Sequence, residues 1–151
     1  MYLSPHFNLT EFLISQTGSR LGIKNEPPSA AIANLKVLCA TCLEPIRKHF
    51  DKPLVISSGY RCEELNKAIG GSPTSEHRNG NAADFTVPGI PNEDVMEFCI
   101  KKVKFDQIVA EFWDKANGGW LHIGLRPKCR KQVLRAYSLN GKTAYTPYKL
   151  T

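Results

Sequence analysis

The chain reads as an α+β protein, with helices packed on one face of a mainly antiparallel sheet. Helical periodicity gathers in the first half and again near residue 95, strand-like apolar runs come mostly after residue 82, and few strand–helix–strand units separate them. At 151 residues the expectation is one domain over 1–151, long enough to bury a core without staples. Hydrophobic and charged fractions of 42% and 23% are those of an ordinary globular protein.

Asn8-Leu9-Thr10-Glu11-Phe12-Leu13-Ile14 opens a short helix, with Asn8 or Thr10 available as its cap and Gly18 and Gly22 bracketing its end. Pro27-Pro28-Ser29 starts a long helix, a position that suits proline because the first turn has no internal N–H bonds. Ile32, Leu35, Leu38, Cys39, Cys42, Leu43, Ile46 and Phe50 follow helical spacing and should face the core. Pro45 should kink this helix. Leu54-Val55-Ile56 reads as a buried strand leading into the loop 57–61, and 63–69 as a short helix ended by Gly70-Gly71. Residues 70–81 form a loop rich in Gly, Ser, Pro and Asn. Then come a strand over 83–87, a helix over 93–102 that Asn92 can cap, and a strand over 107–112. After a turn at 114–119, strands at 120–125 and 132–137 are joined through Arg126-Pro127-Lys128. Asn140-Gly141 signals a hairpin, followed by a short basic tail.

Five cysteines are too few and too odd in number for a disulfide scaffold. Cys39-Ala40-Thr41-Cys42 has C-x-x-C spacing but lies in a helical pattern, so buried, reduced thiols are expected. No basic segment followed by an apolar one opens the chain, and no apolar run approaches the length of a bilayer crossing. The expectation is therefore a chain that is cytoplasmic as synthesised, with no membrane insertion. The formal charge of +6 favours acidic partners. Basic residues are spread thinly without an aromatic stacking motif, so no specific nucleic acid is expected and an anionic cell-wall polymer is the other candidate.

The most informative stretch is Ser75-Glu76-His77-Arg78-Asn79-Gly80-Asn81-Ala82-Ala83-Asp84, which sets a histidine and a carboxylate seven residues apart. Ligands on adjacent helical turns would be three or four apart. The spacing suits a loop ligand, a tight turn at Gly80, and a second ligand where the chain enters a strand. Thirty-eight residues on, Trp120-Leu121-His122-Ile123 carries another histidine in an apolar run. Two imidazoles and one carboxylate make three protein ligands, the number an open zinc site needs to keep a fourth position for water. His6, before the first helix, and His49, at the end of the long one, read as structural.

Ser75, His77, Gly80, Ala82 and Asp84 fit the S-x-H-x-x-G-x-A-x-D pattern of the zinc D-alanyl-D-alanine carboxypeptidases and their relatives. Trp120-Leu121-His122 resembles that family's closing element, and Ser57-Ser58-Gly59-Tyr60-Arg61 its S-S-G-Y-R segment, whose arginine faces the substrate. Residues 3–22 and Leu43-Glu44-Pro45-Ile46-Arg47 are similar to the compact phage-type members. The resemblance implies a hedgehog/DD-peptidase-like fold, a Zn2+ cofactor on His77, Asp84 and His122, and hydrolysis of a peptide bond in the peptidoglycan stem. Carboxypeptidase and endopeptidase action both remain open, with wall degradation following release from the cell. A monomer acting on a peptidoglycan peptide is the expectation.

Arg61 would bind a substrate carboxylate or stabilise the oxyanion, unless it pairs with Glu63, Glu64 or Asp84. Ser75 would orient a ligand or cap its loop, while Tyr60 and Trp120 would either line the cleft or join the core. One position departs from the pattern. A common family arrangement has a glutamate three residues before the last histidine, and here that residue is Gly119. Glu111, at the end of the strand 107–112, is the candidate general base, with Asp114 next and Glu76 third. The same departure supports a rival reading, a non-catalytic zinc-containing binding or virion-structural module.

Overall fold

The computed structural model describes residues 1–150. The chain enters through a ribbon of two short antiparallel strands, β1 (Tyr2–Ser4) and β2 (Phe7–Asn8), too short for any alternation to show in the sequence. Glu44 holds this ribbon to the long helix: Ser4 Oγ donates to Oε1 at 2.9 Å, and His6 Nδ1 lies 2.8 Å from Oε2. The expected first helix is split in two. Leu9–Phe12 is a single 3-10 turn in which Asn8 Oδ1 accepts from Thr10 N–H and Glu11 accepts from Asn8 N–H. A separate α1 (Gln16–Leu21) follows, capped by Ser15, so Gly18 lies inside it and only Gly22 ends it.

The long helix comprises α2 (Ser29–Leu38), a π-helical turn at Cys39–Leu43, and α3 (Glu44–Phe50). The distortion expected at Pro45 is taken up one turn earlier, where Glu44 N–H reaches Cys39 O. Proline offers no N–H to Thr41, and its ring crowds that carbonyl, so a widened preceding turn accommodates it. Leu35, Leu38, Cys39, Cys42, Leu43 and Ile46 are fully buried, while Ile32 and Phe50 pack at the core's edge. All five cysteines are free thiols, and burial pushes those of Cys39 and Cys42 up to about 12. Contrary to the expectation from sequence, the 22-residue stretch Ser29–Phe50 is long and apolar enough to cross a bilayer by length and composition. In the fold its apolar side lies in the core.

The main sheet has six strands: β3 (Val55–Ser58), β4 (Ala82–Thr86), β5 (Gln107–Glu111), β6 (Trp120–Gly124), β7 (Gln132–Leu139) and β8 (Lys142–Pro147). Their order across the sheet is β3-β4-β6-β5-β7-β8, with every pair antiparallel except β5–β7. Two helices complete the chain, α4 (Glu63–Ala68) and α5 (Asn92–Lys102). β3 is an edge strand rather than a buried one, and Val55 is 51% exposed. Asn92 does not cap α5. Its side chain donates to Gly118 O at 3.1 Å, and Pro91 takes the capping position. β6 and β7, consecutive in sequence, do not pair, because β5 lies between them. After Asn140 and Gly141, both at positive φ as a tight hairpin requires, the expected basic tail is instead strand β8.

Strand alternation gives the sheet two unlike faces. Ala83, Phe85, Ile108, Ala110, Leu121 and Ile123 point into the core with α2, α3 and α5. The opposite face carries Asp84, Val109, Glu111, Trp120 and His122, and the loops after β3 and α4 wall it into a cleft.

Candidate active site

Asp84 and His122 are direct neighbours in the β4–β6 ladder, and Val109 faces His122 from β5. A two-residue strand period puts both chemical groups on the cleft face while their flanking residues enter the core. His77 arrives from the loop, on a 3-10 turn (Glu76–Asn79) capped by Ser75, whose Oγ accepts from His77 N–H at 3.3 Å. Gly80 ends that turn at φ 75°, and a Cβ there would stand 2.5 Å from Ala31 O, so only glycine fits.

Nitrogen and oxygen atoms of His77, Asp84 and His122 lie within 4.8 Å of one another, the one such cluster among the described residues. Asp84 Oδ1 is 3.3 Å from His77 Nε2 and 2.9 Å from His122 Nδ1. Donors held tetrahedrally about zinc stand about 3.4 Å apart, given metal–ligand distances near 2.1 Å. His77 Nδ1 is 2.7 Å from Gly59 O, a bond that makes it the protonated nitrogen and leaves Nε2 free as a ligand. The residues present therefore fit a zinc ion.

Burial would raise the Asp84 carboxyl, but the His77 and His122 imidazoles opposite outweigh it and hold it well below the usual carboxylate range. Burial pulls His77 down. For His122 burial acts in the same direction, yet the hydrogen bond to Asp84 and the Asp84 and Glu111 charges leave it raised.

Glu111 Oε1 stands 3.7 Å from His122 Nδ1. Burial first, and the Asp84 charge second, push this carboxyl up to about 7. Asp114, the next candidate, is exposed in the loop beyond and does not reach the cleft; Glu76 lines it but pairs with Arg126 at 2.9 Å. Gly119 has φ +65°, and a Cβ there would stand 2.0 Å from Glu111 O and 2.6 Å from the Phe112 carbonyl carbon. A glutamate at 119 is sterically excluded by the backbone of the residue that supplies the cleft's carboxylate.

Arg61 lies across the cleft, with Nη2 3.6 Å from Asp84 Oδ2. Its Nε donates to Ser58 Oγ at 3.0 Å and Nη1 to Asn66 Oδ1 at 3.3 Å, so the guanidinium is held in place. Of the two aromatics left open between cleft and core, Trp120 lines the cleft, its ring centroid 5.5 Å from that of Phe112. Tyr60 does not. It is 7% exposed and belongs to the core, because its N–H bonds Phe12 O at 2.8 Å and turns the residue inward. His6 bonds Glu44 and His49 stacks on Phe98 at 3.9 Å, both away from the cleft. The cleft, about 450 Å³, also takes walls from Gln107, Arg126, Arg130 and Tyr145, which sequence reasoning had not singled out. Four cations between 126 and 131 were the available signal for the arginines.

A family model described as Peptidase M15 matches residues 5–123 of the 151. The chain belongs to the peptidase M15 family. Curated proteins furnish no match beside it. The peptidase M15 assignment makes this a metallopeptidase of the zinc D-Ala-D-Ala carboxypeptidase-like group, and the match contains His77, Asp84, Glu111 and His122 while ending before β7 and β8.

Proposed function

We propose that this protein is a zinc-dependent peptidase that hydrolyses a peptide bond in the peptidoglycan stem, with a hedgehog/DD-peptidase-like topology and phage-type action on the wall. One observation carries the reading: a buried carboxylate, Glu111, stands 3.7 Å from His122 of a His–Asp–His cluster in a single cleft. Zinc held by His77 Nε2, Asp84 Oδ1 and His122 Nδ1 would supply Lewis acidity toward the scissile carbonyl and acidify a water. Glu111 accepts the proton of the attacking water, whose oxygen bonds the carbonyl carbon, and returns it to the amine nitrogen as the C–N bond breaks. A carboxylate beside the cluster that is not itself a ligand can do both. Arg61, fixed by Ser58 and Asn66, offers its remaining donors to the carbonyl oxygen or a substrate carboxylate.

The non-catalytic reading rested on the missing glutamate at 119, and Glu111 offers a carboxylate in its stead. Purified protein should bind about one zinc per chain and release muropeptides from purified wall, with activity lost to chelator and restored by zinc. Asp84→Ala should lose both zinc and activity, while Cys39→Ser with Cys42→Ser should lose neither. Zinc-loaded protein that releases no peptide fragment detectable by mass would sink the proposal.

A further inference from the structure

The loop between β6 and β7 carries Arg126, Lys128, Arg130 and Lys131, four cations in six residues with no acid among them. It crosses the start of β5, where Asp106 sits 2% exposed. Arg130 grips Asp106 in a fork, Nε to Oδ1 at 3.0 Å and Nη2 to Oδ2 at 2.8 Å, and Arg126 Nε lies 3.6 Å from Oδ2. Arg126 Nη2 also meets Glu76 Oε1 at 2.9 Å. Asp106 and Glu76 thus orient both arginines. A guanidinium has five N–H groups, and the fork occupies two of Arg130's. Among the described residues, Arg126 Nε is buried with no acceptor in hydrogen-bond reach.

Both arginines line the cleft of the His–Asp–His cluster. Val109 pairs with His122, and Gln107 pairs with Gly124 and Gln132. The arginine end of the cleft, at Gln107 and Asp106, is therefore displaced along β5 by about 7–10 Å from the His122 row, the rise of roughly two to three extended residues. The loop also lies beyond residue 123, where the family match stops.

We propose that Arg126 and Arg130 form a subsite for a carboxylate that the peptide substrate carries about two to three residues from the bond cleaved. The inference rests on the peptidase reading above. A carboxylate accepts charge-assisted bonds from both guanidiniums, whereas a carboxamide there brings no charge and turns one donor toward other donors.

The test uses two synthetic stem peptides that differ only by carboxylate or carboxamide at that position. With the full zinc-loaded chain, kcat/KM should favour the carboxylate by about tenfold or more, the scale of a charged hydrogen bond. Arg126→Gln and Arg130→Gln should each cut that ratio to about threefold or less. Arg130→Gln weakens the support of Asp106, so its melting temperature is followed, and the comparison of the two peptides on the parent chain needs no variant. Calorimetric binding to Glu111→Gln protein gives a second readout and should show the same preference. Equal cleavage and equal binding of the two peptides overturns the subsite and leaves the peptidase standing. Preferential binding without cleavage by the parent chain overturns the peptidase and leaves the subsite. A preference that persists in both arginine variants overturns the assignment to these residues.

Discussion

Replacing Gly119 by alanine adds one methyl group against a wall of backbone. The new carbon would stand 2.0 Å from Glu111 O and 2.6 Å from Phe112 O, at φ +65°. Its neighbour Gly118 supplies the control, with φ +79° and nothing within 4 Å of a Cβ. Each alanine pays the left-handed backbone cost, about 1–2 kcal/mol. Only the one at 119 must also push strand β5 away, and backbone cannot step aside as a side chain does, which adds about 1–3 kcal/mol. The totals are about 1–2 kcal/mol for Gly118→Ala and about 2–5 kcal/mol for Gly119→Ala. At about 2–4 °C per kcal/mol for a chain of this size, the melting temperatures should fall by about 2–8 and 4–20 °C respectively. Thermal melts by circular dichroism give these numbers directly. Turnover should drop in Gly119→Ala, because the displaced carbonyl belongs to Glu111, while bound zinc persists. Equal melting temperatures for the two variants would refute the steric account of why this position holds no carboxylate.

Two further outcomes follow from the same geometry. Glu111→Gln keeps size and hydrogen bonding but removes the proton acceptor, so kcat should fall by about 10²–10⁴-fold with zinc and fold intact; parental turnover would move the base elsewhere. Asp106→Asn should cost about 1.5–3 kcal/mol at neutral pH in urea titrations by breaking the fork to Arg130. The hydrogen bonds from Arg130 hold the Asp106 carboxyl below its ordinary value, so its contribution is complete above the unfolded carboxylate range near pH 3.9 and is lost as pH falls through the folded value. The gap between parent and variant should therefore close below about pH 4, and a gap that stays constant into stronger acid would contradict this role.

The metal cluster was legible because its ligands stand in short local patterns. His77, Gly80 and Asp84 fall within eight residues, and a turn followed by a strand leaves few ways to arrange them. Glu111 was reachable for a similar reason, since it ends a strand whose apolar run is plain. What escaped were features set by pairing between distant segments. Nothing near 120 or 132 in sequence announces that β5 inserts between β6 and β7. With that order unknown, Arg126, Arg130 and Tyr145 had no assigned place along a cleft. Tyr60 stayed open because an aromatic beside a cleft-lining arginine is as ready to enter a core as a cleft; it is buried in the core, and its N–H bonds Phe12 O. Pro45 announced a distortion but not its form, since proline's demand on Thr41 can be met by a kink or by a wider turn.

The carbonyl of Gly59 that fixes His77 is itself wedged from behind. A Cβ on Gly59 would sit 2.6 Å from the Phe12 Cα, Tyr60 N–H bonds Phe12 O at 2.8 Å, and Asn25 stitches Leu13, Tyr60 and Cys62 together through its amide. The first candidate metal ligand is therefore aimed by a stack that begins at the twelfth residue of the chain, far upstream of His77, Asp84 and His122. Partners that aim a ligating histidine are worth about 10–100-fold in metal affinity. Tight metal retention would thus depend on the assembled molecule rather than on the loop and strands that carry the donors: a fragment holding only His77, Asp84 and His122 would keep the donors and lose the alignment.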